Sequence, residues 1–109
     1  MSPPFPVLAL PVEVTPEQVP ALVARATEAL GGAGHHLLVD LGQVVFLSSG
    51  GLGFLVKLSK RLHDYGGAIA LARPRPAIAR LLRSVGLEGV LPSFPDLETA
   101  QAYLVGPSG

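Results

Sequence analysis

The stretch VVFLSSGGLGFL, Val44 to Leu55, joins two apolar runs through two serines and two glycines. The first run suits a buried strand. The second opens a segment whose apolar residues recur at helical spacing. The stretch therefore predicts a tight strand-to-helix corner. Glycine lets the backbone turn there and lets a helix begin close to a sheet. Ser49 is placed to cap a helix beginning near Gly50 or Gly51.

The same alternation extends in both directions. VLAL (Val7–Leu10) reads as a strand after Pro6. Thr15, Pro16 and Gln18 form a box-like helix start. Val19, Leu22, Val23, Ala26 and Leu30 then repeat at helical spacing until GGAG (Gly31–Gly34) stops them. HLLVDL is a continuous apolar run of the kind found in strands covered on both faces. After the corner a helix runs to about Tyr65 and Gly66–Gly67 closes it. AIALA (Ala68–Ala72) is a strand, Pro76 opens a helix through Val85, and GVL (Gly89–Leu91) is a last short strand. Asp96 caps a final helix ending at Leu104. Alternating strands and helices predict an α/β fold: a small, mostly parallel sheet of about four strands with helices packed on it. Residues 1–6 form an N-terminal extension, 7–104 the domain and 105–109 a flexible tail.

On a helical wheel, Leu52, Leu55, Val56, Ser59, Leu62 and His63 share one arc, widened by Phe54, Leu58 and Tyr65. That arc is broader than the ~100° stripe a surface helix needs. A neighbouring helix or a protein partner must cover the extra strip. Phe54 lies in the first turn beside the corner, and with Arg61 it suits a partner contact.

Composition bounds the function. The chain has 109 residues, of which 49% are hydrophobic, with no cysteine. That fits one domain with a real core and excludes disulfides, thiolate nucleophiles and cysteine metal sites. Formal net charge is zero, so no long-range field favours nucleic acid or an anionic membrane. Seven of the 8 basic residues nevertheless lie between Lys57 and Arg83, with Asp64 the sole acid among them. The opening MSPPFP lacks the features of a secretory signal, and no run approaches the ~20 apolar residues of a membrane span. A cytoplasmic location and no direct membrane insertion are expected.

Established catalytic patterns fail at the corner. A P-loop needs lysine after its last glycine, and Phe54 follows Gly53. A nucleophile elbow needs glycine on both sides of its serine, and Ser48 and Ser49 have Leu47 and Gly50 as outer neighbours. His35 and His36 are adjacent, so in a strand they point to opposite faces and cannot share a metal ion. Neither catalysis nor a cofactor or metal is expected.

VVFLSSGGLGFL with LLVDLGQ ahead of it resembles the centre of STAS domains, the fold of bacterial anti-sigma factor antagonists. Those carry Asp-Ser-Ser-Gly-Leu-Gly or Asp-Ser-Thr-Gly-Leu after an apolar strand. The segment from His63 to Leu104 resembles the family's second half, and VEVT (Val12–Thr15) its Gly-Glu-Leu-Asp. The resemblance implies an antagonist that binds an anti-sigma factor, often a serine-kinase-like ATPase, and thereby regulates transcription. It also implies a kinase that phosphorylates the hydroxyl residue before Gly-Leu and so breaks the contact. Here Ser48 falls on the family's Asp, Ser49 on its first Ser, and Gly50 on the phosphorylated residue. The usual switch is thus expected to be absent; Ser49, one position early, is the alternative position for a phosphate. Family members usually have another strand before the one at Val7. The partner-binding surface is expected at Ser48, Ser49, Gly50, Gly51, Phe54, Lys57 and Arg61. Two alternatives stand beside it: a STAS subunit of a transport system docking on an ATPase component, and a small-ligand or nucleotide sensor using the corner amides.

Overall fold

The computed structural model describes residues 5–31 and 35–106. Gly32–Gly34 of the helix stop, most of the N-terminal extension and the last three residues of the tail lie outside them.

Strand β1 (Val7–Ala9) is followed by a short strand β2 (Glu13–Val14), a 3-10 turn (Pro16–Gln18) and helix α1 (Val19–Leu30). The expected start is present. The Gln18 side-chain oxygen accepts from the Thr15 N–H at 3.0 Å and from the Thr15 hydroxyl at 3.3 Å. These bonds satisfy groups that the first turn would otherwise leave unpaired. Next come β3 (His36–Asp40), β4 (Phe46–Leu47) and α2 (Ser49–Asp64). The second half contains β5 (Ala68–Ala72), α3 (Pro76–Ser84), β6 (Ser93–Phe94) and α4 (Leu97–Val105). Asp96 caps α4 as expected, its carboxylate accepting from the Thr99 N–H at 2.7 Å.

The main sheet is parallel throughout, in the order β1-β3-β5-β6. Its central strands alternate between two cores. Leu37, Val39, Ile69 and Leu71 join Leu22 and Ala26 of α1, Leu55 and Leu62 of α2, and Ile78 and Leu82 of α3. Leu38, Ala70 and Ala72 face Ala100 and Leu104 of α4. Burial on both faces explains why HLLVDL and AIALA read as unbroken apolar runs. Among the described residues no strand precedes β1.

Two expectations are corrected. The last strand is Ser93–Phe94 rather than Gly89–Leu91. Gly89 and Val90 belong to a turn, and Leu91 is a fully buried core plug that no strand pairs with. A second sheet, unexpected from the sequence, pairs β2 with β4 in parallel and sets Glu13 beside Phe46 and Val14 beside Leu47.

Asp40 and Arg73 tie together the carboxyl ends of β3 and β5. Asp40 accepts from Arg73 Nε at 3.0 Å and from Nη2 at 2.8 Å, and from the Gly42 N–H at 2.9 Å. Partial burial pushes the Asp40 carboxyl up, but these hydrogen bonds and the guanidinium charge outweigh it and hold the group below the usual aspartate range. Arg73 adopts a left-handed φ of 58° to reach this position, an uncommon conformation for a residue with a side chain. A depressed carboxylate stabilises the fold above its unfolded pKa, and the contribution is lost as pH falls through the folded value. Urea unfolding across an acid pH series is therefore expected to show wild type more stable than Asp40→Asn at neutral pH. The gap should close once the carboxylate protonates. A gap that persists unchanged at acid pH would show that the ion pair is not its source.

Candidate functional site

The corner is built where β4 hands over to α2. The Ser48 N–H donates to Val14 O at 2.9 Å, so β2 holds the end of β4 in place. Ser48, not Ser49, is the N-cap: its hydroxyl accepts from the Gly51 N–H at 3.0 Å. An aspartate at this position would accept the same bond. Ser49 is then the first helical residue, and its side chain is exposed.

The two glycines face the protein itself. A Cβ on Gly51 would lie 2.6 Å from Val14 Cγ1 and 3.0 Å from Leu47 Cδ1. Only a residue without a side chain lets α2 begin so close to the small sheet. A Cβ on Gly50 would meet the Pro16 ring at 3.2 and 3.3 Å. The expectation of a bare bend at Gly50 is therefore corrected, because the 3-10 turn before α1 covers it. The hydroxyl residue that the resemblance puts at this position would press on Pro16. Of the corner's three glycines, Gly53 faces open space, with nothing within 4 Å of a Cβ built on it.

Phe54 also departs from expectation. Its ring is 6% exposed and packed in the main core. The sheet covers the centre of the broad apolar arc of α2, and α1, whose Leu22 and Ala26 are buried in the same cluster, covers its Phe54 side. Phe54 thus anchors α1 to α2 and offers no apolar ring to a partner.

The exposed ring belongs to Phe46, which is 50% exposed, eight residues earlier. Val45 is 54% exposed and Val12 49%. The N–H groups of Val45 and Phe46 both donate to Val12 O, at 2.8 and 3.3 Å, so the three exposed residues are neighbours. The sequence concealed this patch inside a run of four apolar residues. Val44 and Leu47 are buried while the middle pair points outward. A strand two residues long gives no period-two pattern to read.

Beyond the corner, Ser49, Gly53, Lys57 and Arg61 follow at intervals of four along α2, a spacing that keeps residues on one side of a helix. Ser49, Lys57 and Arg61 are exposed. Gly50, Gly53, Phe54, Lys57 and Arg61 line a groove of about 860 Å³ between α2 and α1, whose α1 wall includes Val19 and Val23. The structure thus brings together the exposed Ser49, Lys57 and Arg61, and turns Gly51 and Phe54 inward. No group of three or more metal-ligating side chains exists among the described residues. His35 stacks on Tyr65 and His36 on Phe5, as expected for neighbours that point apart. No helix among the described residues is long and apolar enough to cross a membrane.

The chain belongs to the STAS domain family: the family model described as Mlab, STAS domain, matches residues 2–93. Solved structures share the fold. The anti-sigma factor antagonist SpoIIAA, named elsewhere as a Bacillus cell fate determinant, superposes in its unphosphorylated form with a TM-score of 0.75 at 20% identity. That match covers 93% of this chain and 88% of SpoIIAA. An anti-sigma-factor antagonist (STAS) domain protein from Planctomyces limnophilus has a TM-score of 0.78 at 23% identity, covering 94% of this chain and 92% of the other. The murine anion transporter Slc26a9 has a TM-score of 0.71 at 20% identity, covering 93% of this chain but 18% of the transporter.

Phe54 and Phe46 are expected to separate cleanly on truncation. Phe54→Ala should lower the unfolding free energy by about 3–5 kcal/mol, as for a large core aromatic. Phe46→Ala should change it by no more than about 0.5 kcal/mol. Chemical denaturation of both variants checks this, and similar losses at the two sites would contradict the assignment of inside and outside.

Proposed function

We propose that this chain is a non-catalytic docking protein of the anti-sigma factor antagonist type, acting in transcriptional regulation through contact with an anti-sigma factor of the serine-kinase-like ATPase class. The observation that carries the reading is the exposed patch of Val12, Val45 and Phe46, which leads directly into the exposed start of α2. An aromatic flanked by aliphatic residues is the kind of anchor on which binding energy concentrates. Gly53 lets a partner's backbone or a bulky side chain approach the helix, and Lys57 and Arg61 meet acidic groups at the rim. The docking surface is thus Val12, Val45, Phe46, Ser48, Ser49, Gly53, Lys57 and Arg61, with Gly50, Gly51 and Phe54 supporting it from behind.

Gly50 gives this protein no hydroxyl at the position where the family is phosphorylated, and the Ser48 hydroxyl is engaged in the helix cap. The docking surface is accordingly not switched off by phosphate at the corner. Incubation with the partner kinase and ATP should leave the mass of the chain unchanged. A gain of one phosphate on Ser48 or the exposed Ser49 would overturn this part of the reading.

A second reading has specific support. The fold matches 18% of the chain of an anion transporter, murine Slc26a9. The same surface would then dock on an ATPase component of a transport system.

Gly53 gives the sharper test. Gly53→Ala is expected to stabilise the helix by about 0.5–1 kcal/mol, because a Cβ meets nothing there. Gly53→Glu should fold normally yet weaken capture of the native partner at least tenfold, as should Phe46→Ala. Identification of the captured protein distinguishes an anti-sigma factor from a transport ATPase. Capture unaffected by either substitution would remove this surface from the interface.

A further inference from the structure

The other flank of α2, turned away from α1, borders a second cavity of about 440 Å³. Val56, Ile69, Val90 and Pro92 give it an apolar wall, with Lys60 and His63 of α2 and Tyr103 of α4 at its polar positions. Among the described residues no acidic side chain lines it.

The register of β5 shows what lies at its base. Alternate residues of β5 bond to β3: the Ala68 N–H donates to His35 O at 3.0 Å, and Ala72 O accepts from the Leu41 N–H at 2.9 Å. The residues between them face the opposite edge. There the Leu71 N–H donates to Pro92 O at 2.8 Å and the Arg73 N–H to Phe94 O at 2.9 Å. Ile69 is the next residue on that edge, and β6 stops before reaching it. Pro92, placed to serve the Ile69 carbonyl, has no N–H to give. The Val90 carbonyl, placed to serve the Ile69 N–H, instead accepts from the Ser59 hydroxyl at 2.8 Å. Among the described residues, no group pairs with the Ile69 N–H. The residue is 3% exposed.

A buried peptide group without a partner costs about 1–3 kcal/mol unless a polar group in the cavity pairs with it. Here the unpaired donor and acceptor sit side by side on a strand edge, facing a small apolar cavity with a lysine at its rim. A strand edge recognises another peptide unit, N–H to C=O and C=O to N–H. Lysine recognises a carboxylate. The volume lies within the range of small-ligand pockets.

We infer that this cavity binds a small peptide-like acid, an apolar N-acylated amino acid or dipeptide with a free carboxylate. Its amide pairs with the Ile69 N–H and C=O, its apolar side chain lies against Val56, Val90 and Pro92, and its carboxylate meets Lys60. The site is separate from the docking surface, so it stands whether or not that surface binds an anti-sigma factor.

Amide NMR of the full chain tests the inference with three probes. N-acetyl-L-leucine carries both features, N-acetyl-L-leucine amide lacks the charge, and hexanoate lacks the peptide unit. N-acetyl-L-leucine is expected to shift the Ile69, Gly67 and Val90 amides saturably, with a Kd on the order of 1 mM. The two other probes should bind about tenfold more weakly or worse. Lys60→Gln, at an exposed position, should weaken N-acetyl-L-leucine by about tenfold. Gly89→Phe, where a Cβ meets nothing and the larger ring fills the cavity mouth, should abolish the shifts. Absence of saturable shifts, equal affinity for all three probes, shifts confined to the α1–α2 groove, or full binding by both variants would each overturn the inference.

Discussion

The start of α2 lies so close to the small β2–β4 sheet that no side chain fits between them. Val14 occupies the space where a Cβ of Gly51 would stand, with Leu47 at its edge, and Pro16 leaves only a tight contact for one at Gly50. Everything at the candidate surface follows from that approach. It fixes the pitch at which α2 leaves β4, and with it the packing of Phe54 under α1. It also leaves the outer side of the small sheet uncovered, which is where Phe46 and its aliphatic neighbours emerge. Gly50 and Pro16 are a matched pair: the residue without a side chain makes room for the proline that starts the next helical segment.

The architecture was largely legible because its signals are strong and local. Continuous apolar runs marked β3 and β5, since both of their faces are buried. Thr15, Pro16, Pro76 and Asp96 marked helix starts, where capping and a fixed proline φ act within a few residues. The errors fell where the deciding contact is distant in sequence. Val90 and Leu91 look like a strand, yet the edge of β5 selects Ser93 and Phe94 by register, more than twenty residues away from their partners. The β2–β4 sheet involves two residues on each side and has no periodicity to announce it.

The corner illustrates the same limit at the level of function. Its residue types pointed to the right place in the fold, because two serines and three glycines around a strand-to-helix junction need a structural reason. Which of them face outward was not legible. The assignment of Phe54 and Gly50 to the outside assumed that α1 would not reach the first turn of α2. Helix α1 does reach it, and the 3-10 turn ahead of α1 covers Gly50. The glycine with free space around it, Gly53, carried one signal in the sequence: a glycine inside a helix costs about 1 kcal/mol relative to alanine and invites a packing or functional reason.

The central claim is that a partner grips the end of the domain where β4 passes into α2. Hydrogen–deuterium exchange of the chain alone and in complex with its native partner measures this most directly. The account predicts slowed exchange at Val45–Ser49 and along Gly53–Arg61, with α3 and α4 unchanged. Protection confined to α3 and α4, with the β4–α2 junction exchanging as in the free chain, would contradict it.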